Sequence, residues 1–182
     1  MKTIQRFLIT LLCLLPLLPL GVQAEDFTLK DATGKVHNLA DYKGKWVLVN
    51  FWATWCPPCL EEMPDLVALY EERKDVMVLG IAMDYKNPKT VLEFADSMFV
   101  TYPIVLGDKN IAAKIGKVPG LPTTYLFDPA GKQAAYKVGR ITRESIENFM
   151  QKYSETSPNS AQKNSASVPG VALSAQLKKQ LN

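Results

Sequence analysis

The feature that most constrains this chain is a long apolar run that leads directly into a closely spaced pair of cysteines. Residues Trp46–Trp52 read WVLVNFW, and such a β-branched and aromatic run is typical of a buried central strand. The segment CPPC at 56–59 follows, and apolar residues then recur at helical spacing as far as Tyr70. The pattern therefore predicts a buried strand that runs into a helix whose first turn carries both sulfurs.

Short apolar segments and turn residues along the rest of the chain indicate an α/β fold. Strands alternate with helices in the order expected for a central mixed β-sheet that is flanked by helices on both faces. Asn87-Pro88 is suited to begin one helix, and Thr142 to cap the last one. The other predicted elements are an N-terminal β-hairpin (Phe27–Leu29 and Val36–Leu39), strands Val76–Met83 and Ile104–Leu106, a short helix Lys109–Ile115 and a second hairpin (Thr123–Phe127 and Ala134–Val138).

The two ends of the chain differ in composition from the middle. Residues 1–24 combine a positive start, an apolar stretch and a small final residue, as in a cleaved signal peptide, which predicts an exported, periplasmic protein. The apolar stretch Phe7–Leu20 would span about 21 Å as a helix, short of the roughly 30 Å hydrocarbon core, although an uncleaved membrane anchor facing the periplasm stays open. Residues 154–182 are polar and predicted to form a disordered tail, which leaves 25–153 as the folded domain.

Charge and composition exclude several classes of protein. The formal net charge is only +3, with no basic stripe, so we expect no nucleic-acid partner. Cys13 falls within the leader, so the exported chain keeps only Cys56 and Cys59, too few for a stapling framework or a structural zinc site. We therefore expect no metal, and no cofactor beyond a redox-active disulfide between these two residues. His37, the only histidine, is expected to be an ordinary surface residue.

The predicted position of Cys56 at the mouth of a helix defines its chemistry. A helix N-terminus carries roughly half a positive charge, and Cys-x-x-Cys motifs lower the cysteine pKa from about 8.5 to between about 3.5 and 7.5. Cys56 is therefore predicted to be the exposed nucleophile. Cys59, one turn later and deeper, is predicted to be the resolving thiol that releases a mixed disulfide. Pro57 costs little in a first helical turn and stiffens the loop between the sulfurs.

The residues around the cysteines resemble a known family. The stretch NFWATWCPPC at 50–59 resembles the active-site segment of thioredoxins. Together with Glu62 and Pro64 it is similar to the TlpA/ResA branch of exported thiol–disulfide oxidoreductases, relatives of the redoxin and AhpC/TSA proteins. The resemblance runs from about Phe27 to Tyr153 and implies a thioredoxin fold with a helix-containing insert, here residues 85–110. It also implies that Pro64 lies inside the active-site helix.

The same resemblance assigns roles to residues on both sides of the sulfurs. The segment GLPTT is similar to the family's cis-proline loop, which implies a cis peptide bond at Pro122 and a backbone at Leu121 that is open to pair with a client strand. Pro122 therefore joins the cysteines as a predicted catalytic residue. Trp55 and Pro57 on the cysteine side, with Leu121 and Thr123 on the loop, are the predicted substrate-binding residues.

Glu62 is predicted to be a fourth catalytic residue that handles protons for Cys59. The TlpA/ResA branch has an acidic residue at this position, on the helix face of the second cysteine. Asn50 stands where thioredoxin itself has a buried aspartate, and an amide cannot take a proton, so either Glu62 or water must act as the base. The alternative for Glu62 is a solvated helix carboxylate, which is also what we expect of Glu61.

These expectations combine into one function with two alternatives. The resemblance implies a monomeric exported reductase of disulfides in client proteins, such as apocytochrome c or copper-site assembly factors. It also implies that a membrane thiol donor of the DsbD/CcdA type recharges the cysteine pair. A Cu(I)-binding or transfer module that uses the same two thiolates stays open, and so does a disulfide-forming oxidant.

Overall fold

The chain folds as a mixed β-sheet covered by helices, which confirms the predicted α/β class, and a computed structural model describes it over residues 26–156. Most elements begin and end within a residue of their predicted bounds. In chain order they are β1 (Thr28–Lys30), β2 (Val36–Asn38), a 3-10 turn (Leu39–Tyr42), β3 (Trp46–Trp52), α1 (Pro57–Glu72), β4 (Val76–Ala82), α2 (Pro88–Ser97), β5 (Ile104–Leu106), α3 (Lys109–Ile115), β6 (Thr123–Phe127), β7 (Gln133–Val138) and α4 (Arg143–Thr156).

Strand β3 is the centre of the main sheet, whose order is β5-β4-β3-β6-β7. It pairs in parallel with β4 and antiparallel with β6, and all of its residues are buried. Successive side chains point to opposite faces of a strand. Leu48 and Trp52 therefore share a core with α1, α2 and α4, whereas Val47 and Phe51 share a second core with the N-terminal hairpin and α3. Because both cores hold β3, the position where α1 begins is firmly fixed.

His37 is not the surface residue that we expected, because its side chain is completely buried. The register of the β1–β2 hairpin pairs His37 with Leu29, whose side chain also lies in the core. The ring Nε2 lies 2.9 Å from Asp31 Oδ2, and Nδ1 lies 2.5 Å from the Tyr42 hydroxyl. The prediction failed because a polar residue near a turn is usually exposed, and the sequence alone does not give the strand register that buries His37.

Helix α4 extends beyond the predicted end of the domain at Tyr153. Residues 154–156 are helical, and the Ser154 hydroxyl donates to the Met150 carbonyl at 2.8 Å. The predicted tail boundary at Ser154 is therefore too early, because polar composition alone does not stop a helix that is already formed. The predicted leader at 1–24 and the tail from 157 onwards lie outside the described residues. Within residues 26–156, no helix is both long and apolar enough to cross a bilayer.

The substitution Asp31→Ala is expected to lower the free energy of unfolding by about 2–3 kcal/mol at pH 7. It removes the acceptor for the N–H groups of Thr33 and Lys35, for the Thr33 hydroxyl and for the buried His37 ring. Burial raises the pKa of Asp31, but the hydrogen bonds, that of His37 first, bring it down to about 2. The unfolded value is about 3.9, so this stabilisation is present above about pH 4 and is lost as the pH falls towards 2.

Urea unfolding of wild type and Asp31→Ala at pH 7 and pH 2.5 measures both effects. Asp26→Ala is the matched control, because Asp26 is the same residue type at an exposed position just before β1. Equal stability of Asp31→Ala and wild type at pH 7 would contradict this account of the hairpin.

Candidate active site

Cys56 and Cys59 lie at the junction of β3 and α1 and form a disulfide, with 5.3 Å between their Cα atoms. Cys56 is the N-cap residue of α1, and its carbonyl accepts the N–H groups of Cys59 and Leu60. Cys59 has no exposed surface, and Cys56 keeps only 3% of its surface exposed. The order of depth is as predicted, but the expectation of an exposed nucleophile is wrong for the disulfide form, because Cys56 packs into the same core as Trp52.

The first turn of α1 influences Cys56 through its field rather than through free N–H groups. Pro57 and Pro58 occupy the first positions of the helix and have no N–H to donate. No acidic side chain lies in this turn, so the positive helix terminus is left to favour a thiolate on Cys56. The helix continues through Pro64 to Glu72, which confirms the predicted internal proline.

Glu62 lies completely buried on the turn of α1 that follows Cys59. Asn50 Nδ2 donates to its Oε1 at 2.6 Å, and the N–H of Ile141 donates to its Oε2 at 2.9 Å. Burial raises the pKa of Glu62 to about 7, although these two hydrogen bonds and the charge of Arg140 oppose the rise. The solvated alternative for Glu62 is therefore wrong. A carboxyl with this pKa can both accept and release a proton near neutral pH.

Asn50 is held in the position from which it contacts Glu62. In the β3–β6 register it lies opposite Thr124, and its Nδ2 also donates to the Thr124 hydroxyl at 3.1 Å. Since Asn50 and Thr124 are both buried in the sheet, the amide has little freedom to turn away from the carboxyl. Asn50, which stands where thioredoxin has an aspartate, therefore serves as a fixed hydrogen-bond donor to Glu62 on α1.

Three neighbours of Glu62 were not predicted from the sequence. Ile141 contacts the carboxyl through a backbone N–H, which any residue other than proline provides, and Arg140 forms an ion pair with Glu61 at 3.3 Å. Tyr102 has a buried hydroxyl with no hydrogen-bond partner among the described residues, and burial, with a smaller effect of Glu62, raises its pKa. All three lie far from Glu62 in sequence, and no residue pattern indicated that they would meet.

The loop before β6 contains the predicted cis-proline. The Leu121–Pro122 peptide bond is cis, as the resemblance implied. Across the described residues, neither the N–H nor the carbonyl of Leu121 has a hydrogen-bond partner, so its backbone is available to a client strand. Thr123 differs from the expectation: its side chain is fully buried and donates to the Gly120 carbonyl at 2.6 Å, so it shapes the loop instead of facing a client.

A groove of about 670 Å³ runs between Trp55 and Leu121. Trp55 is 61% exposed, and its indole N–H lies 3.5 Å from the Asp84 carbonyl. The groove is lined mostly by apolar residues, with one acidic and two basic side chains among them; the lining includes Met83, Ala112, Val118, Asp84, Lys109 and Lys117. Pro57, the remaining predicted contact residue, is exposed beside the disulfide. Trp55, the residue before Cys56, thus brings the groove next to the disulfide.

The described residues bring no additional metal ligand to the sulfurs. Across residues 26–156, no three histidine, cysteine or acidic side chains are grouped so that they could hold a metal ion. His37 is bonded to Asp31 and Tyr42 in the hairpin. Within this part of the chain, a soft ion such as Cu(I) would have only the two thiolates as ligands.

Comparison with known proteins agrees with this geometry. The model of the AhpC/TSA family matches residues 20–135, more than half of the chain. The chain belongs to the AhpC/TSA family. Among its relatives, the thioredoxin-like protein YneN of Bacillus subtilis is 42% identical over 70% of this chain and 76% of that protein. The thiol-disulfide oxidoreductase ResA of Geobacillus kaustophilus is 39% identical over 72% of this chain and 76% of its own.

Solved structures of other proteins share the fold of this chain. StoA from Bacillus subtilis superposes with a TM-score of 0.60 and 26% identity, over 70% of this chain and 97% of StoA. A putative thiol:disulfide interchange protein DsbE from Chlorobium tepidum gives a TM-score of 0.60 and 28% identity, over 71% and 94% of the two chains. The family member described here is therefore a thioredoxin-fold thiol–disulfide oxidoreductase, and the predicted likeness to ResA is confirmed.

In the disulfide form, Glu62→Gln is expected to remove a pH-dependent part of the stability. The folded pKa of about 7 lies above the unfolded value of about 4.3, so the folded state binds more protons between these values. The free energy of unfolding of wild type should therefore fall as the pH rises through this window, by about 3–4 kcal/mol at about 1.4 kcal/mol per pH unit. Urea unfolding of the oxidised protein at pH 5, 6, 7 and 8 measures the slope.

Glu61→Gln is the control for this prediction, because Glu61 is the adjacent carboxylate on α1 and is exposed. It should keep the wild-type slope. If Glu62→Gln also keeps that slope, Glu62 does not titrate in the window that its burial implies.

Proposed function

We propose that this oxidoreductase is an exported reductase of disulfides in client proteins. The observation that carries the proposal is the buried carboxyl of Glu62 behind Cys59, with a pKa of about 7. An ionised carboxylate at this place disfavours a second negative charge on Cys59. Strong disulfide-forming oxidants depend on a stabilised thiolate in their reduced form. A site that disfavours the Cys59 thiolate therefore favours the reduction of disulfides in partner proteins.

The reduction proceeds in two exchange steps that transfer two electrons to the client. The Cys56 thiolate attacks one sulfur of the client disulfide, a mixed disulfide forms, and the first client thiolate leaves. Ionised Glu62 then accepts the proton of the Cys59 thiol, and the resulting thiolate attacks Cys56 Sγ. The mixed disulfide breaks, the second client thiolate leaves, and the protein is left with the Cys56–Cys59 disulfide. The proton passes from Glu62 to solvent or to the departing thiolate.

A client binds as an extended segment in this proposal. Its backbone pairs with the free N–H and carbonyl of Leu121, next to Pro122, while Trp55 packs against its side chains across the groove. This arrangement presents the client disulfide to Cys56. The 3% exposure of Cys56 belongs to the disulfide form, which the thiol donor must reach, whereas a client meets the dithiol form.

The cellular setting belongs to the same proposal. The leader-like residues 1–24 support export, with cleavage after Ala24, to a compartment where disulfides persist. Names of relatives, thiol-disulfide oxidoreductase and thiol:disulfide interchange protein, support a partner with a disulfide, and the leader supports a partner that is itself exported. A membrane thiol donor then returns Cys56 and Cys59 to the dithiol form, and the protein works as a monomer without a metal or further cofactor.

The reduction potential decides the direction of the reaction. We expect a value closer to that of thioredoxin, about −270 mV, than to that of the oxidant DsbA, about −120 mV. Equilibration of the purified protein with glutathione or dithiothreitol buffers, followed by alkylation and mass spectrometry, gives this number. Glu62→Gln should raise the potential, since the neutral amide no longer disfavours the Cys59 thiolate. A wild-type potential near that of DsbA would reject the reductase and support a disulfide-forming role.

Clients can be identified by trapping. Cys59→Ala leaves Cys56 able to attack but removes the thiol that releases the mixed disulfide, so clients should accumulate as covalent complexes at least tenfold over wild type. Non-reducing gels of cells that express the full chain, followed by mass spectrometry, identify them. Cys56→Ala is the matched control and should trap almost nothing. Capture of cytosolic proteins without leaders, instead of exported proteins with cysteine pairs, would contradict the proposed setting.

A further inference from the structure

Three consecutive residues between β7 and α4 each contact a different part of the site. The N–H of Gly139 donates to the Pro122 carbonyl at 2.8 Å, on the substrate-binding loop. Arg140 pairs with Glu61 on α1 at 3.3 Å. The N–H of Ile141 donates to Glu62 Oε2 at 2.9 Å. This bridging segment, Gly139–Ile141, therefore connects the buried acid to the loop that a client would touch.

We propose that the bridging segment couples the charge of Glu62 to the position of the Pro122 loop, so that the acid and the client-binding backbone respond to each other. The proposal rests on the proposed function for its purpose, but its geometry concerns the disulfide form alone. Gly139 and Ile141 thereby become positioning residues for the reaction.

The coupling follows from the strength of one hydrogen bond. A charge-assisted hydrogen bond to a carboxylate is roughly twice as strong as one to a neutral acceptor. Both oxygens of Glu62 accept a hydrogen bond, so protonation of the carboxyl must weaken the hydrogen bond from Ile141 or the one from Asn50. Asn50 is fixed inside the sheet by Thr124, whereas Ile141 belongs to a loop. The bridging segment is therefore the partner that can shift.

The surroundings of the segment leave it room for such a shift. A cavity of about 510 Å³ lies beside Arg140 and Ile141, between β7 and α4, with Thr124 and Phe149 in its wall. Gly139 has a φ of +93° and no atom within 4 Å of the place where a Cβ would stand, so glycine is needed for the backbone angle rather than for space. The residue that contacts Pro122 therefore has a backbone angle that residues other than glycine rarely adopt, and only Arg140 lies between it and Ile141.

The groups that face Glu62 come from every packed element. Arg140 approaches from the bridging segment, Asp65 lies on the same helix, and Tyr102 adds a hydroxyl from the segment before β5. Asn50 and Thr124 on the sheet do not titrate. Cys59 does not titrate either while it is in the disulfide. In the oxidised protein, a change of charge near neutral pH at this place is therefore assigned to Glu62.

Linkage makes the coupling reciprocal. If the ionised acid favours the held position of the Pro122 loop, a client strand that also favours that position must favour the ionised acid by the same factor. Client binding would then prepare Glu62 to take the proton of Cys59. Glu62 would be ionised, and able to accept a proton, when Cys59 must be deprotonated to attack.

Nuclear magnetic resonance of the oxidised, isotope-labelled full chain tests this coupling without any client. Between pH 5.5 and 8.5, the amide signals of Ile141 and Gly139 and the carbonyl carbon of Pro122 should shift with one common midpoint near pH 7. Glu62→Gln should abolish all three titrations, and Glu71→Gln, at an exposed position on the same helix, should leave them. A titration at Ile141 that is absent at Gly139 and Pro122 would overturn the coupling, and so would one at Pro122 that persists in Glu62→Gln.

Arg140→Gln keeps the test decisive even where Glu62→Gln folds poorly. Loss of this cation should move the common midpoint upward, because Arg140 lowers the pKa of Glu62. A midpoint that moves at Ile141 but not at Pro122 in this variant would reject the coupling. No turnover is measured in this titration. A negative result would therefore reject the coupling without affecting the reduction potential or the trapping result. If those two experiments rejected the proposed function, the titration would still test the coupling.

Discussion

The buried carboxyl of Glu62 is the constraint around which the rest of the site is arranged. It has no exposed surface and is held between a side-chain amide on the sheet and a backbone N–H from a distant loop. The positive N-terminus of α1 favours negative charge on Cys56. The carboxylate of Glu62, one turn after Cys59, instead opposes negative charge on Cys59. In the proposed mechanism, this difference in surroundings separates the nucleophile from the resolving thiol.

The sheet supplies the rigidity that this arrangement requires. Strand β3 is buried over its whole length, pairs with two neighbours and carries Asn50 just before the chain turns into α1. The acid and the disulfide lie on one helix, and the amide and Thr124 lie on adjacent strands. Groups on packed helices and strands keep their mutual distances better than groups on loops. The loop elements, at Pro122 and at Gly139–Ile141, are the parts to which the proposals assign client binding and the response to the charge of Glu62.

Features that depend on residues close together in the sequence could be predicted, whereas those that depend on distant residues could not. Local patterns placed nearly every strand and helix, because the run at Trp46–Trp52 and the caps at Asn87 and Thr142 are signals within a few residues. The cis bond at Pro122 needed a family resemblance, since nothing in the residues alone favours it. Long-range contacts were missed. His37 is buried because of a strand register, and Ile141 reaches Glu62 through a main-chain N–H that has no residue signature.

The contrast among the three tryptophans has a further consequence. Trp46 and Trp52 are buried in the core, while Trp55 stands exposed immediately before Cys56 and forms one side of the groove. The chain therefore contains two indoles with an apolar surrounding and one that borders both water and the disulfide. Trp52 packs in the same core cluster as both cysteines, so opening the Cys56–Cys59 bond changes the surroundings of one core indole as well as those of Trp55. Indole fluorescence therefore reports the redox state of the protein from these two positions.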